Sequence, residues 1–198
     1  NKFSILVIRE SDLKKIYHEE AELSNSSNQI NFFELNNFLD ENIFKIEKIL
    51  KNFIKNIYLI IDCNNFFHMK ISLKKNNFGN FITNENLTYM LNEAKDLCRK
   101  TLEKKKIIHL IIENYIIDKK NFSYFPKELK CKNFALDLKF ICLPIDLTKS
   151  LEQMLKKYQI SLKRAVSLNY IKKFIEKEKP DVYNLSKKIF LGSFENEV

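Results

Sequence analysis

The chain has 198 residues, 45% of them apolar, and its 34 Lys and Arg outnumber 25 Asp and Glu for a formal charge of +9. That is enough apolar material for one compact domain or two small subdomains, so a disordered tail is excluded. Only two glycines are present, and neither Gly79 nor Gly192 lies in a loop of the kind that turns backbone N–H groups onto phosphate.

Part of the glycine shortage is a codon effect, because Lys, Asn, Ile, Phe and Tyr have AT-rich codons and this chain is full of them. The same bias explains the charge. Arg9, Arg99 and Arg164 are its only arginines, and the lysines come as scattered doublets such as Lys74-Lys75 and Lys187-Lys188, the pattern of solvated faces. Cys63, Cys98, Cys131 and Cys142 lack Cys-x-x-Cys spacing and read as reduced, mostly buried thiols of a cytoplasmic protein. No apolar run approaches the roughly 18 residues of a membrane span, and there is no signal-peptide layout. The chain opens on Asn1 without a Met, which leaves open that material stood upstream.

In chain order, Lys2 to Arg9 and Lys14 to Leu23 read as a hairpin turning at Ser11-Asp12. Asn36 to Ile54 spaces its apolar residues by three and four, which predicts an amphipathic helix. Tyr58 to Asp62 reads as a buried strand. From Phe66 to Leu73 the residues alternate, with Phe67, Met69, Ile71 and Leu73 predicted to face a core. Thr83 starts a helix running to about Lys104. Gly79 sits in a turn. Ile107 to Asp118 and Phe134 to Leu143 are two long strands expected to pair as an antiparallel ribbon around a loop holding Pro126. Leu147 to Tyr158 is helical, Ile160 to Val166 a short strand, and Leu168 to Glu178 and Val182 to Leu191 two closing helices broken at Pro180. Gly192 is expected to end the last of these. That helix carries Val182, Leu185, Ile189 and Phe190 on one side, and an ordinary docking role suits it better than a membrane-surface one, since Glu195 and Glu197 come after it.

No catalytic constellation emerges. His109 shares an alternate-residue pattern with Ile107, Ile111 and Tyr115 and reads as a packed or hydrogen-bonded histidine. His18, Glu20 and Glu22 share a strand face but lack a further ligand, so a solvated edge is expected and no metal site. Asp62, Asp118 and Asp137 end or interrupt strands without a base or nucleophile beside them. Lys132-Asn133-Phe134-Ala135 is a distant match to the aromatic motif of RNA-recognition folds, without its glycine or alternating aromatics.

The run Ile107-Ile108-His109-Leu110-Ile111-Ile112-Glu113-Asn114-Tyr115-Ile116-Ile117-Asp118 resembles a stretch of FtsA, the bacterial actin-like cell-division protein, in which Ile-Leu-His-Val-Ile-Pro-Arg-Glu-Phe-Ile-Val-Asp is typical. The His and the closing Asp are shared, and Ile112 stands where Pro is usual. Ile107, His109, Ile111, Tyr115 and Asp118 are therefore the family-motif positions. The flanks agree in order: Tyr58 to Ile61, the Thr83 helix, Phe134 to Ile141 and Leu147 to Tyr158 each have a counterpart.

The resemblance implies an α/β fold, with an SHS2-type strand-helix-strand-strand subdomain (1C) at 58–144 inserted into a partial actin-like, ribonuclease H-like subdomain (1A) made of 1–57 and 145–198. It also implies a role at the division septum, where subdomain 1C contacts protein partners of the division machinery, with self-association left open. The two glycine-containing ATP loops of the family are missing: the first would fall upstream of Asn1, and the second belongs to a half that is not here. The expectation is a non-catalytic adaptor, not an enzyme, with no cofactor, cytoplasmic, reaching a membrane only through partners. The alternatives are a fragment of a full actin-like ATPase, a PilM-like pilus or secretion assembly protein, and, more remotely, a lysine-rich nucleic-acid-binding domain.

Overall fold

The computed structural model describes residues 2–23, 30–127, 129–175, 181–192, 194 and 196–198. The fold is mixed α/β. It divides into two compact units, Asn1–Asn64 with Lys149–Ser193 and Asn65–Thr148 with Phe194–Val198.

In the first unit, β1 (Lys2–Ile8) and β2 (Lys15–Glu22) form the expected antiparallel hairpin, with Lys2 opposite Glu22 and Val7 opposite Tyr17. Helix α1 (Phe32–Leu50) starts four residues earlier than the apolar spacing predicts, because the Asn31 side chain caps it by accepting from the Phe33 and Glu34 N–H groups. It also stops earlier. Lys51 takes a left-handed conformation at φ 52° and closes the last turn on Glu47, so Phe53 and Ile54 lie outside the helix. Phe38, Asn42, Ile43 and Ile46 form its buried face, where Tyr17 of β2 donates its hydroxyl to the side-chain Oδ1 of Asn42.

β3 (Asn56–Ile61) pairs in parallel with β8 (Ser161–Ser167) from Asn56 opposite Ser161 to Ile61 opposite Ser167. This pairing moves the boundaries of the two units. The expected 57/58 and 144/145 junctions fall at 64/65 and 148/149, because β3 pairs with a strand of the flanking unit, and residues 194–198 join the middle one.

α3 (Ile145–Lys156) carries the chain back towards β8; α4 (Leu168–Ile171) comes directly after β8, extended by a 3-10 turn at Lys172–Phe174. The expected helix to Glu178 is this short, and 176–180, with Pro180, lie outside the described residues. α5 (Val182–Leu191) docks with Leu185 and Ile189 buried, and Gly192 ends it at φ 67°, the left-handed region that glycine enters without strain.

The second unit is one antiparallel sheet in the order β4 (Phe67–Asn76), β7 (Asn133–Pro144), β5 (Lys105–Ile117), β6 (Lys120–Phe122), with α2 (Asn84–Thr101) packed on it. Thr83 caps α2 in a reciprocal capping box with Asn86. Met90, Leu91, Ala94 and Cys98 of α2 share a core with Leu110, Ile112, Tyr115 and Ile117 of β5 and Phe134, Leu136, Leu138, Phe140 and Cys142 of β7. Met69, Ile71 and Leu73 pack against it as their alternation predicts, but Phe67 at the strand start is 43% exposed, with the Lys105 ammonium over its ring. The opposite sheet face carries polar pairs as well as apolar residues: Lys70 pairs with Glu113 at 2.7 Å, and Asp137 accepts from Ser72 and Asn114, while Ile141 and Leu143 are buried.

Candidate functional site: the outer edge of strand β5

β5 and β7 pair along their whole length as the expected ribbon, but with irregularities between Ile107 and His109 and between Ile112 and Asn114. Each irregularity flips the side-chain parity of the residues beyond it. Ile107 and Tyr115 consequently pack in the core under α2, whereas His109 and Ile111 lie on the opposite sheet face. The expectation of one face shared by Ile107, His109, Ile111 and Tyr115 is corrected by these two irregularities.

His109 is 1% exposed, and its Nδ1 lies 2.7 Å from Oε1 of Glu197. The carboxylate arrives from the chain's own tail. Glu197 forms an antiparallel bridge opposite Ile111, the Ile112 N–H donates to the Asn196 carbonyl at 2.9 Å, and the Val198 N–H donates to the Leu110 carbonyl at 3.0 Å. Opposite residues share a sheet face, so a Glu opposite Ile111 is the diagonal neighbour of His109. Asn196 adds a bond from Nδ2 to the Ser123 carbonyl, and Phe194 is buried at 7% exposure. His109 is thus a packed, hydrogen-bonded histidine. Its partner is illegible in the sequence, where Glu197 stands out only as a charge unsuited to a membrane helix.

Asp118 has a structural task at the other end of β5. With Lys119 it forms the two-residue turn into β6, both at positive φ (45° and 74°), as a hairpin of this length requires. Its carboxylate accepts from the Asn133 and Lys132 N–H groups at 2.8 and 3.1 Å, and these bonds hold its pKa below the usual range. Asp137 belongs to the polar sheet face, and Asp62 is exposed at the end of β3.

His18 lies 3.3 Å from Glu20, whose carboxylate is held below its ordinary pKa by the Lys2 ammonium. Among the described residues, no three His, Cys, Asp or Glu side chains converge as metal ligands. All four cysteines are buried thiols outside any disulfide, and Cys98 and Cys142 face each other with sulfurs 4.0 Å apart. Burial pushes the Cys142 thiol up to about 12, which keeps it protonated and unreactive at neutral pH. Phe134, the aromatic of the distant RNA-recognition match, is 1% exposed in the core, so it offers no stacking platform.

This unit also exposes Phe67, Phe78, Phe81, Tyr89 and Tyr124. A groove of about 420 Å³ beside the start of α2 is lined by Lys75, Asn77, Glu85, Tyr89 and Met90, among others. Tyr89 is 61% exposed under the Lys75 ammonium, and Phe78 and Phe81 stand out nearby in sequence at 80% and 52%. No helix among the described residues is long and apolar enough to cross a membrane. Comparison with protein-family models and with curated proteins finds no match for the chain.

Proposed function

We propose that this chain is an FtsA-related adaptor of bacterial cell division that works by binding other proteins and performs no catalysis. The observation that carries the reading is the chain order of the middle unit. Strand β4, helix α2 and the long strands β5 and β7 follow in the order strand, helix, strand, strand, with the three-residue β6 between the last two, and the flanks open on a hairpin and a helix and close on helices. The His109-containing run is an interior strand of that unit. Its exposed Phe78, Phe81 and Tyr89 supply the kind of aromatic surface that anchors protein partners. Binding at the septum would use this unit, as the resemblance implies for subdomain 1C.

A second reading, a fragment of a full actin-like ATPase, has its own support in the first unit. β1 and β3 read Phe-Ser-Ile-Leu-Val-Ile and Ile-Tyr-Leu-Ile-Ile, the composition of strands flanked on both sides. Each has one partner strand among the described residues, β2 and β8 respectively. An upstream strand carrying the first phosphate loop would find an edge to pair with. Calorimetric titration of ATP into protein expressed with the complete native N-terminus separates the two. The adaptor reading predicts no heat of binding, and micromolar affinity would overturn it in favour of the ATPase.

A further inference from the structure

β6 covers the outer edge of β5 only from Tyr115 to Ile117, a small part of a strand that starts at Lys105. Along the rest, alternate residues turn their N–H and C=O groups away from β7. Unpaired strand edges of this kind are templates for another chain, and folded proteins cover them. Here the cover comes from the chain's own residues 196–198. Among the described residues the cover amounts to two backbone hydrogen bonds and one bridge, and Asn196 within it takes the left-handed φ 59°.

The side-chain fit is more demanding than the backbone pairing. A buried imidazole on β5 receives a carboxylate at 2.7 Å, and an aromatic ring three residues earlier in the tail is buried as well. The tail sequence Phe-Glu-Asn-Glu-Val contains two acids and no base, in a chain of formal charge +9.

We propose that the outer edge of β5 is a docking site for an extended acidic segment of a partner protein, of pattern aromatic-x-x-Glu, and that Phe194–Val198 is its resident intramolecular competitor. The partner strand adds to the sheet by main-chain bonds at Leu110 and Ile112, its glutamate meets His109, and its aromatic side chain takes the place of Phe194. A partner lacking the αL bend of Asn196 pairs further along β5, which is how it displaces a tethered competitor. The inference rests on the edge and its occupant and is independent of the cell-division reading.

The probe is a fluorescein-labelled peptide of residues 192–198, titrated by anisotropy against the full chain, against Glu197→Lys and against Phe194→Ala. A tethered competitor acts at millimolar effective concentration, so opening the edge should tighten peptide binding by about tenfold or more relative to the unaltered chain. A peptide carrying Lys in place of its Glu should lose that binding. In the unaltered chain, the Ile112 amide, whose N–H goes to the tail, should exchange with solvent about tenfold faster than amides paired between β5 and β7, a readout that needs no variant to fold. Peptide binding no tighter to either folded variant than to the unaltered chain, or an Ile112 amide as protected as the β5–β7 amides, would overturn the proposal. So would an opened edge filled by a second copy that the peptide cannot displace.

Discussion

The two units use similar apolar strands to different ends. In the sheet of the second unit, Phe134, Leu136, Leu138 and Phe140 of β7 are all within 1% of full burial, with a strand on either side and α2 above. In the first unit, Phe3, Ile5, Leu6, Val7 and Ile8 of β1 are each only half-buried, and the hairpin has two strands. A continuous apolar strand reaches its full hydrophobic gain only when both faces and both edges are occupied. The first unit should therefore be the easier to open.

Truncating a core side chain in each unit in turn should show the difference most strongly. Phe140→Ala should cost about 3–5 kcal/mol in urea unfolding, whereas Ile43→Ala in α1 should cost nearer 2 kcal/mol, since its site is shallower and collapses more readily. Equal losses would mean that the half-buried strands of the first unit are covered as well as β7 is.

Glu197→Ala comes next, at about 1–3 kcal/mol in the same assay, because it leaves the buried His109 ring nitrogen without its carboxylate. An effect under about 0.5 kcal/mol would place that contact among surface substitutions. Thr83→Ala should cost about 1 kcal/mol through the lost capping box of α2. A change of the opposite sign is expected in the first unit: Lys51→Gly relieves a left-handed residue at the end of α1 and should stabilise by about 0.5–1 kcal/mol.

The smallest effect is a pH dependence. Asp118 has a folded pKa below its unfolded value, so its contribution is complete above the ordinary Asp range and is lost as pH falls through the lowered folded value. Asp118→Asn should therefore flatten the acid limb of a Tm-against-pH curve, and an unchanged limb would remove the turn from the account.

Local pattern is legible in the sequence where one face of one element decides the outcome. The alternation of Met69, Ile71 and Leu73 and the stripe of α2 match the structure because period and burial coincide. The ends of α1 differ from their expected positions because they depend on single side chains, Asn31 capping one end and Lys51 adopting φ 52° at the other. The faces of β5 differ for a related reason: two irregularities each shift the parity by one residue, and nothing in the run from Ile107 to Asp118 marks them. Pairings distant in sequence leave no trace. β3 finds β8 across the whole middle unit, and His109 finds Glu197 at a separation of 88 residues.

Glycine usage shows the same divide between local and distant signals. Gly79 and Gly192 both sit at positive φ, as expected, yet Leu13, Lys51, Phe78, Asp118, Lys119, Gln159 and Asn196 do so without being glycine. A chain poor in glycine has placed ordinary residues at turns that would favour it. The shortage therefore marks where strain is held.

The proposed adaptor role at the division septum can be checked by following a fluorescently tagged, full-length protein in dividing cells of its native host. The account predicts a ring at midcell that forms with the septum; uniform cytoplasmic fluorescence throughout the cycle would contradict it.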